Sequence, residues 1–187
     1  MARHHRLKIL TAVFLIVLVT GGVYAQTRNQ GDGAVPREIY TALAFGEAIF
    51  EPDIWLASAS EKPDRTTAEW RADPLLGLAF LDYLHFDDGI TPEDADAFFT
   101  SDWFEVTFSS YQSWEKRATC VFDNHLTLRE FAFVFDDAPY TMRYWTQYIN
   151  ENRVSALFLL LPSDQPELME TYAERLYPAG YSCGMNS

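Results

Sequence analysis

Missing from this chain are the short signatures that announce a common chemistry. It has no H-E-x-x-H, no C-x-x-C, no P-loop and no G-x-S-x-G. Their absence removes the usual zinc, redox, nucleotide and hydrolase readings, and no cofactor is expected. Basic residues are scarce, with 14 Lys and Arg against 27 Asp and Glu in 187 residues. That balance repels nucleic acid and anionic headgroups, so neither is an expected partner. Cysteine occurs only at Cys120 and Cys183, and histidine beyond the first five residues only at His85 and His125. There is also no internal repeat, no low-complexity tract and no interior linker.

What stands at the start is a targeting pattern. Arg3, His4, His5, Arg6 and Lys8 form a basic head, and Ile9–Val19 is apolar apart from Thr11. Val23-Tyr24-Ala25 then offers a peptidase site, so residues 1–25 read as a signal peptide cut before Gln26. An uncleaved anchor is the competing reading. However, the apolar stretch Ile9–Val23 falls short of the roughly 20 residues that span a bilayer. Cleavage would remove three basic residues and no acid, leaving 11 Lys and Arg against 27 acids, a formal charge of −16. The acids are spread along the chain, which makes solubility their plain meaning. A secreted or periplasmic location follows, with no membrane association after cleavage. In such an oxidising compartment Cys120 and Cys183 are expected to pair. By the chain-entropy model, closing that loop contributes roughly 4 kcal/mol.

Residues 26–35 are polar and glycine-bearing and read as a leader; 36–187 reads as a single α+β domain. Ile39, Tyr40, Leu43 and Ala44 have helical spacing, while Ala48-Ile49-Phe50 looks like a strand start. Ile54–Ala57 and Thr66–Trp70 read as extended runs across a polar loop, Ser58–Arg65. Leu76–Phe86 reads as a buried strand, stopped by Asp87-Asp88-Gly89. Thr91-Pro92-Glu93-Asp94 opens a short helix: Thr caps, Pro takes the first turn, and acids face the helix dipole. Phe104, Val106 and Phe108 then alternate with polar residues as a strand would. Arg117–Phe122 and Leu126–Phe135 follow, then a hairpin turning at Asn150-Glu151-Asn152. Val154–Leu161 is apolar on both alternating faces and reads as a central strand. After Pro162, Asp164 and Glu167 signal a last helix, with a stripe of Leu168, Met169, Tyr172, Ala173 and Leu176.

This order of elements resembles the PsbP-like superfamily, whose first strand often carries a proline shortly before a tryptophan. Pro52 and Trp55, in Glu51-Pro52-Asp53-Ile54-Trp55, occupy such places, and Ala156–Tyr177 is similar to the family's final strand and helix. The resemblance covers most of residues 46–178. It implies an α/β/α sandwich around an antiparallel sheet, and mostly accessory or binding roles outside the cytoplasm. The cysteine pair is not a family feature, and no photosynthetic role carries over.

Chemistry has few footholds. His125, beside Asp123 and Asn124, sits in a hairpin turn, where a solvated turn residue is a simpler reading than a catalytic base. His85 reads as a core or edge residue. Asp87, Asp88, Glu93, Asp94 and Asp96 are dense enough for Ca²⁺, but helix capping and solvation explain them without a metal. Aromatics are plentiful, with five Trp, ten Tyr and 14 Phe. Trp145, Tyr144 and Tyr148 on the last hairpin, with Trp114 on an earlier strand, are the candidate ligand-binding residues. On an open sheet face they would stack on a sugar or anchor a protein; under a helix they are core. Arg143 and Arg153 read as members of exposed ion pairs that mean little.

A binding or scaffolding module that does no chemistry is therefore expected, with an unknown protein or small ligand as partner. Its rival is a small enzyme with His125 or an acid pair in a sheet–helix cavity, on a cone-shaped fold like that of nuclear transport factor 2. The helix that closes the domain opposes that fold, which puts long helices before its sheet. The cysteines give a first check: reduction should raise the intact mass by two hydrogen atoms, and an unchanged mass means two separate thiols.

Overall fold

The computed structural model describes residues 37–186, position 124 excepted. The signal peptide at 1–25 and the leader at 26–35 lie outside the described residues. From Glu38 onward the chain forms one compact unit.

Helical spacing prevails at the start, where α1 spans Arg37–Glu47. Ala48-Ile49-Phe50 is not a strand but the turn that ends it: the amides of Ile49 and Phe50 both return to the Gly46 carbonyl, at 2.9 and 2.8 Å. Strands β1 (Leu56–Lys62) and β2 (Arg65–Ala72) pair as a hairpin with only Pro63 and Asp64 between them. Most of the expected loop Ser58–Arg65 is thus strand. Its small polar residues hid it, because an edge strand need not bury an apolar face. Strand β3 (Gly77–His85) follows as expected.

Helix α2 (Pro92–Ala97) opens at Thr91, whose hydroxyl accepts from the Asp94 amide at 3.2 Å. Next comes the clearest correction. Phe104, Val106 and Phe108 do not build a strand; α3 spans Ser101–Thr107, capped by the Thr100 hydroxyl, which accepts from the Trp103 amide. Phe104 and Phe108, four apart, share the buried side of a helix, while Val106 is 77% exposed. Three apolar residues two apart fit either period until their burial is known.

The remaining strands are β4 (Ser113–Phe122), β5 (Leu126–Phe135), β6 (Ala138–Asn150) and β7 (Arg153–Pro162). All seven form one antiparallel sheet in the order β1-β2-β3-β7-β6-β5-β4. Two meanders are therefore joined by β3 against β7, in register from Leu78↔Leu160 to His85↔Arg153. β7 is central, as its doubly apolar pattern predicts. Its Leu157, Leu159 and Leu161 enter a cluster with Trp55, Trp70 and Trp145. Val154, Ala156 and Leu160 enter another with Phe131, Phe133 and Tyr144. Helix α1 and the last helix, α4 (Pro166–Leu176), pack into the first cluster; α2 and α3 pack into the second.

Helix α4 starts from Gln165 rather than Asp164, with no side-chain cap and Pro166 at its first position. Met169, Tyr172, Ala173 and Leu176 are buried. The larger three each contribute about 1.5–3 kcal/mol of burial. Arg143 on β6 is not the exposed pair partner expected. It is 6% exposed, forks onto both carboxylate oxygens of Glu170 on α4, and reaches Glu130 at 3.2 Å. Cys120 on β4 is bonded to Cys183 with Cα atoms 5.6 Å apart, tying that edge to the turn Cys183–Asn186.

Helix α1 sits very close to β2. A Cβ on Gly46 would lie 2.0 Å from Trp70 Cε2, on a ring that is 1% exposed. Alanine is the better helix former by about 1 kcal/mol, but overpacking such a contact costs about 1–3 kcal/mol. Gly46→Ala should lower the urea midpoint, and a raised midpoint would mean that the Trp70 ring steps aside freely.

Candidate functional site

Antiparallel register lays side chains in rows across a sheet, so β pairing dictates which residues meet. One row on the face beneath α2 and α3 reads Glu69 (β2), Phe80 (β3), Phe158 (β7), Tyr144 (β6), Arg129 (β5). Phe80 and Phe158 stack with ring centres 5.4 Å apart and planes 11° apart. Tyr144 continues the row, 6.3 Å from Phe158. It is covered by Phe99, Trp103 and Phe104 at 6.0, 5.8 and 5.4 Å, leaving it 3% exposed. Burial pushes its phenol well above the usual tyrosine range, so it stays neutral.

Cover stops there. Phe80 and Phe158 are only half-buried, beside Arg65, Thr67, Glu69 and Arg71 on the same face of β2. Helices α2 and α3 cannot reach further, because together they amount to little more than three turns. The result is an aromatic strip walled on one side by α3 and open toward β2.

Arg129 holds that wall in place. It is 5% exposed, donates to Thr146 Oγ1 at 2.9 Å and to Asp96 of α2 at 2.7 Å. Its guanidinium also lies over the rings of Phe99 and Phe104 at 5.8 and 5.9 Å. In the neighbouring row, Thr67 donates to Asp82 at 2.6 Å and Arg65 stands 3.8 Å from the same carboxylate. Burial outweighs both partners and raises the Asp82 pKa.

The four residues expected to bind a ligand do not converge. Trp145 is on the other face and 0% exposed; its Nε1 donates to the Gly180 carbonyl at 2.8 Å and its ring stacks on Tyr177 at 5.3 Å. Trp145 therefore pins the tail after α4 and offers no stacking surface. Tyr144 is the covered end of the strip. Trp114 is half-buried against Phe108 and Phe131, at 5.7 and 5.9 Å. Of the four, Tyr148 lines two openings. One side of it is a cleft of about 560 Å³ with His85, Glu151, Asn152 and Arg153; the other is a cavity of about 120 Å³ with Asp96, His125 and Gln147. Both histidines of the described residues thus flank one tyrosine, which their separation in sequence does not suggest.

The acidic run does not gather. Asp94 receives the Thr91 hydroxyl at 2.9 Å and Asp96 pairs with Arg129. No three His, Cys, Asp or Glu side chains among the described residues stand close enough to share a cation. No sequence motif marks Phe80, Phe158 or Arg129 as site residues. Asp82 alone carries a signal, as a lone acid inside the apolar run Leu76–Phe86. Neither a known family nor any curated protein matches the chain.

Asp82 supplies a check on this geometry. Its folded pKa lies above its ordinary 3.8, so the native state holds the proton more tightly than the unfolded chain. Stability from this group is therefore greatest below 3.8 and falls as pH rises through the folded value. Asp82→Asn should unfold at a higher temperature than the wild type at pH 7, with the gap closing toward pH 3. A gap that widens in acid would mean the carboxylate is stabilised, not strained, by its site.

Proposed function

We propose that this chain is an exported, non-catalytic binding or scaffolding module, periplasmic or secreted, built as a PsbP-like α/β/α sandwich. The sandwich reading is supported by the two clusters, one fed by α1 and α4 and the other by α2 and α3. Pro52 and Trp55 lie just ahead of β1 rather than inside it, with Trp55 2% exposed and donating to the Tyr172 hydroxyl at 2.9 Å. The paired cysteines support export, since such bonds persist in oxidising compartments.

The observation that carries the binding reading is the open strip at Phe80 and Phe158. Apolar rings rimmed by Arg65, Glu69 and Arg71 have the layout of an interface core with a polar rim. Because the two rings are already stacked on each other, part of each ring face is engaged. A protein side chain reaching in from the β2 side suits them better than a sugar ring. A second reading, an enzyme of the cone-shaped class, draws on the cavity where His125, Asp96 and Tyr148 come together.

The mature protein, immobilised and exposed to its native envelope fraction, should enrich a partner identifiable by mass spectrometry. Phe80→Glu/Phe158→Glu should reduce that partner at least about tenfold. Val121→Glu, which alters an exposed residue on the opposite edge strand, should not. Turnover of ester, glycoside or peptide substrates that disappears in His125→Ala would replace the binding reading with the enzymatic one.

A further inference from the structure

The two edges of the sheet are built differently. Strand β4 carries Glu115, Lys116 and Arg117 in succession, breaks register between Lys116 and Ala118, and is fastened to the tail through Cys120. Charge, a bulge and a covering segment are the devices by which proteins keep an edge from pairing. Among the described residues, strand β1 has none of them over Leu56-Ala57-Ser58-Ala59-Ser60. It runs in unbroken register with β2 through seven residue pairs. Five of its seven residues are exposed, Leu56 to 69%. Among the described residues, no backbone hydrogen bond in a turn, loop or cap involves Leu56–Lys62. Every second residue of an edge strand turns its N–H and C=O away from the sheet, so β1 presents a row of them to any strand that fits.

We propose that β1 is a self-pairing edge, and that two copies of this chain join there, antiparallel, about a two-fold axis through Ala59. The pattern of the strand selects a second copy as occupant. About that axis Ser58 faces Ser60 of the partner copy, Ala57 faces Glu61, and Leu56 faces Lys62. All seven residues are used. No like charges stand opposite each other, and the exposed Leu56 gains the aliphatic stem of a lysine as cover. The strand carries one acid and one base, Glu61 and Lys62, within a chain of net charge −13. It is thus a neutral zone where two acidic bodies can meet. Main-chain pairing is indifferent to small side chains, and Ala and Ser let the backbones close to the usual 4.7–4.9 Å.

The two-fold stands normal to the sheet, so like faces remain on the same side. The half-buried strips at Phe80 then lie on one side of a continuous fourteen-stranded sheet, with an α2–α3 wall at each end. A single added strand pair buries less than the standard interface, so the dimer is a weak one that depends on concentration. This inference does not rest on the strip binding anything.

Sedimentation equilibrium of the mature protein from about 1 to 500 μM tests it, with circular dichroism to verify each fold. The wild type should shift from monomer to dimer across that range, as expected of micromolar association. Ser58→Lys/Ser60→Lys sets lysines directly opposite one another and should weaken the dimer at least about tenfold. Ser58→Lys/Ser60→Glu sets lysine opposite glutamate and should pair at least as well as the wild type. A wild type that stays monomeric throughout overturns the proposal, as does a dimer indifferent to the double lysine. Should the double lysine fail to fold, the Lys/Glu variant decides alone, since only the Ala59-centred register makes it self-complementary.

Discussion

The pairing of β3 with β7 is the constraint on which the molecule depends. Each strand comes from a different meander, and the segments between them hold α2, α3 and three further strands. Without their eight residue pairs there would be two small sheets, each with a raw edge at its centre. With them, β7 lies fourth of seven and must bury both faces. That demand explains its sequence, RVSALFLLLP, and explains why helices are drawn to two clusters rather than one.

Polar groups then decide how each helix seats. Arg143 ties α4 to β6 and β5, and Arg129 ties α2 to β5 and β6, each from a position less than a tenth exposed. Removing the acid of such a pair leaves a buried guanidinium charge, which costs more than the pair contributes. At the first cluster, Glu51 accepts from Tyr172 at 2.7 Å and from Arg175 at 2.5 Å, while Trp55 donates to the same tyrosine. Both partners hold the Glu51 carboxyl below its usual range. The turn before β1 is in this way bound to the last helix, 121 residues later for the Tyr172–Glu51 bond.

Short α2 and α3 are what leave the strip at Phe80 and Phe158 open. A seven-stranded sheet is wider than two helices of one or two turns can roof. The uncovered half is therefore a consequence of helix length, and it faces the side of β2 that carries Arg65, Thr67, Glu69 and Arg71. Alternation with the buried Thr66, Ala68, Trp70 and Ala72 assigns those residues to that side. In β2 the same eight residues build a core face and a half-buried polar face.

Much of this was legible residue by residue. Doubly apolar β7, the stripe of α4, the Thr91-Pro92 cap and the β3 run carry their own signals, because each reflects local periodicity or a single turn's chemistry. Composition also excluded the common catalytic signatures and called for a cysteine pair. Other features had no local signal. Strand β1 buries too little to need apolar residues, and Phe104, Val106 and Phe108, in α3 and at its C-cap, have a spacing that suits either period. Trp145 and Tyr144 are adjacent in the chain but enter opposite clusters, since neighbours on a strand point to opposite faces. Phe80 meets Phe158, and His85 shares Tyr148 with His125, only because antiparallel register brings distant positions into one row or to one end. Periodicity records which way a side chain points; only the pairing of strands determines what it finds there.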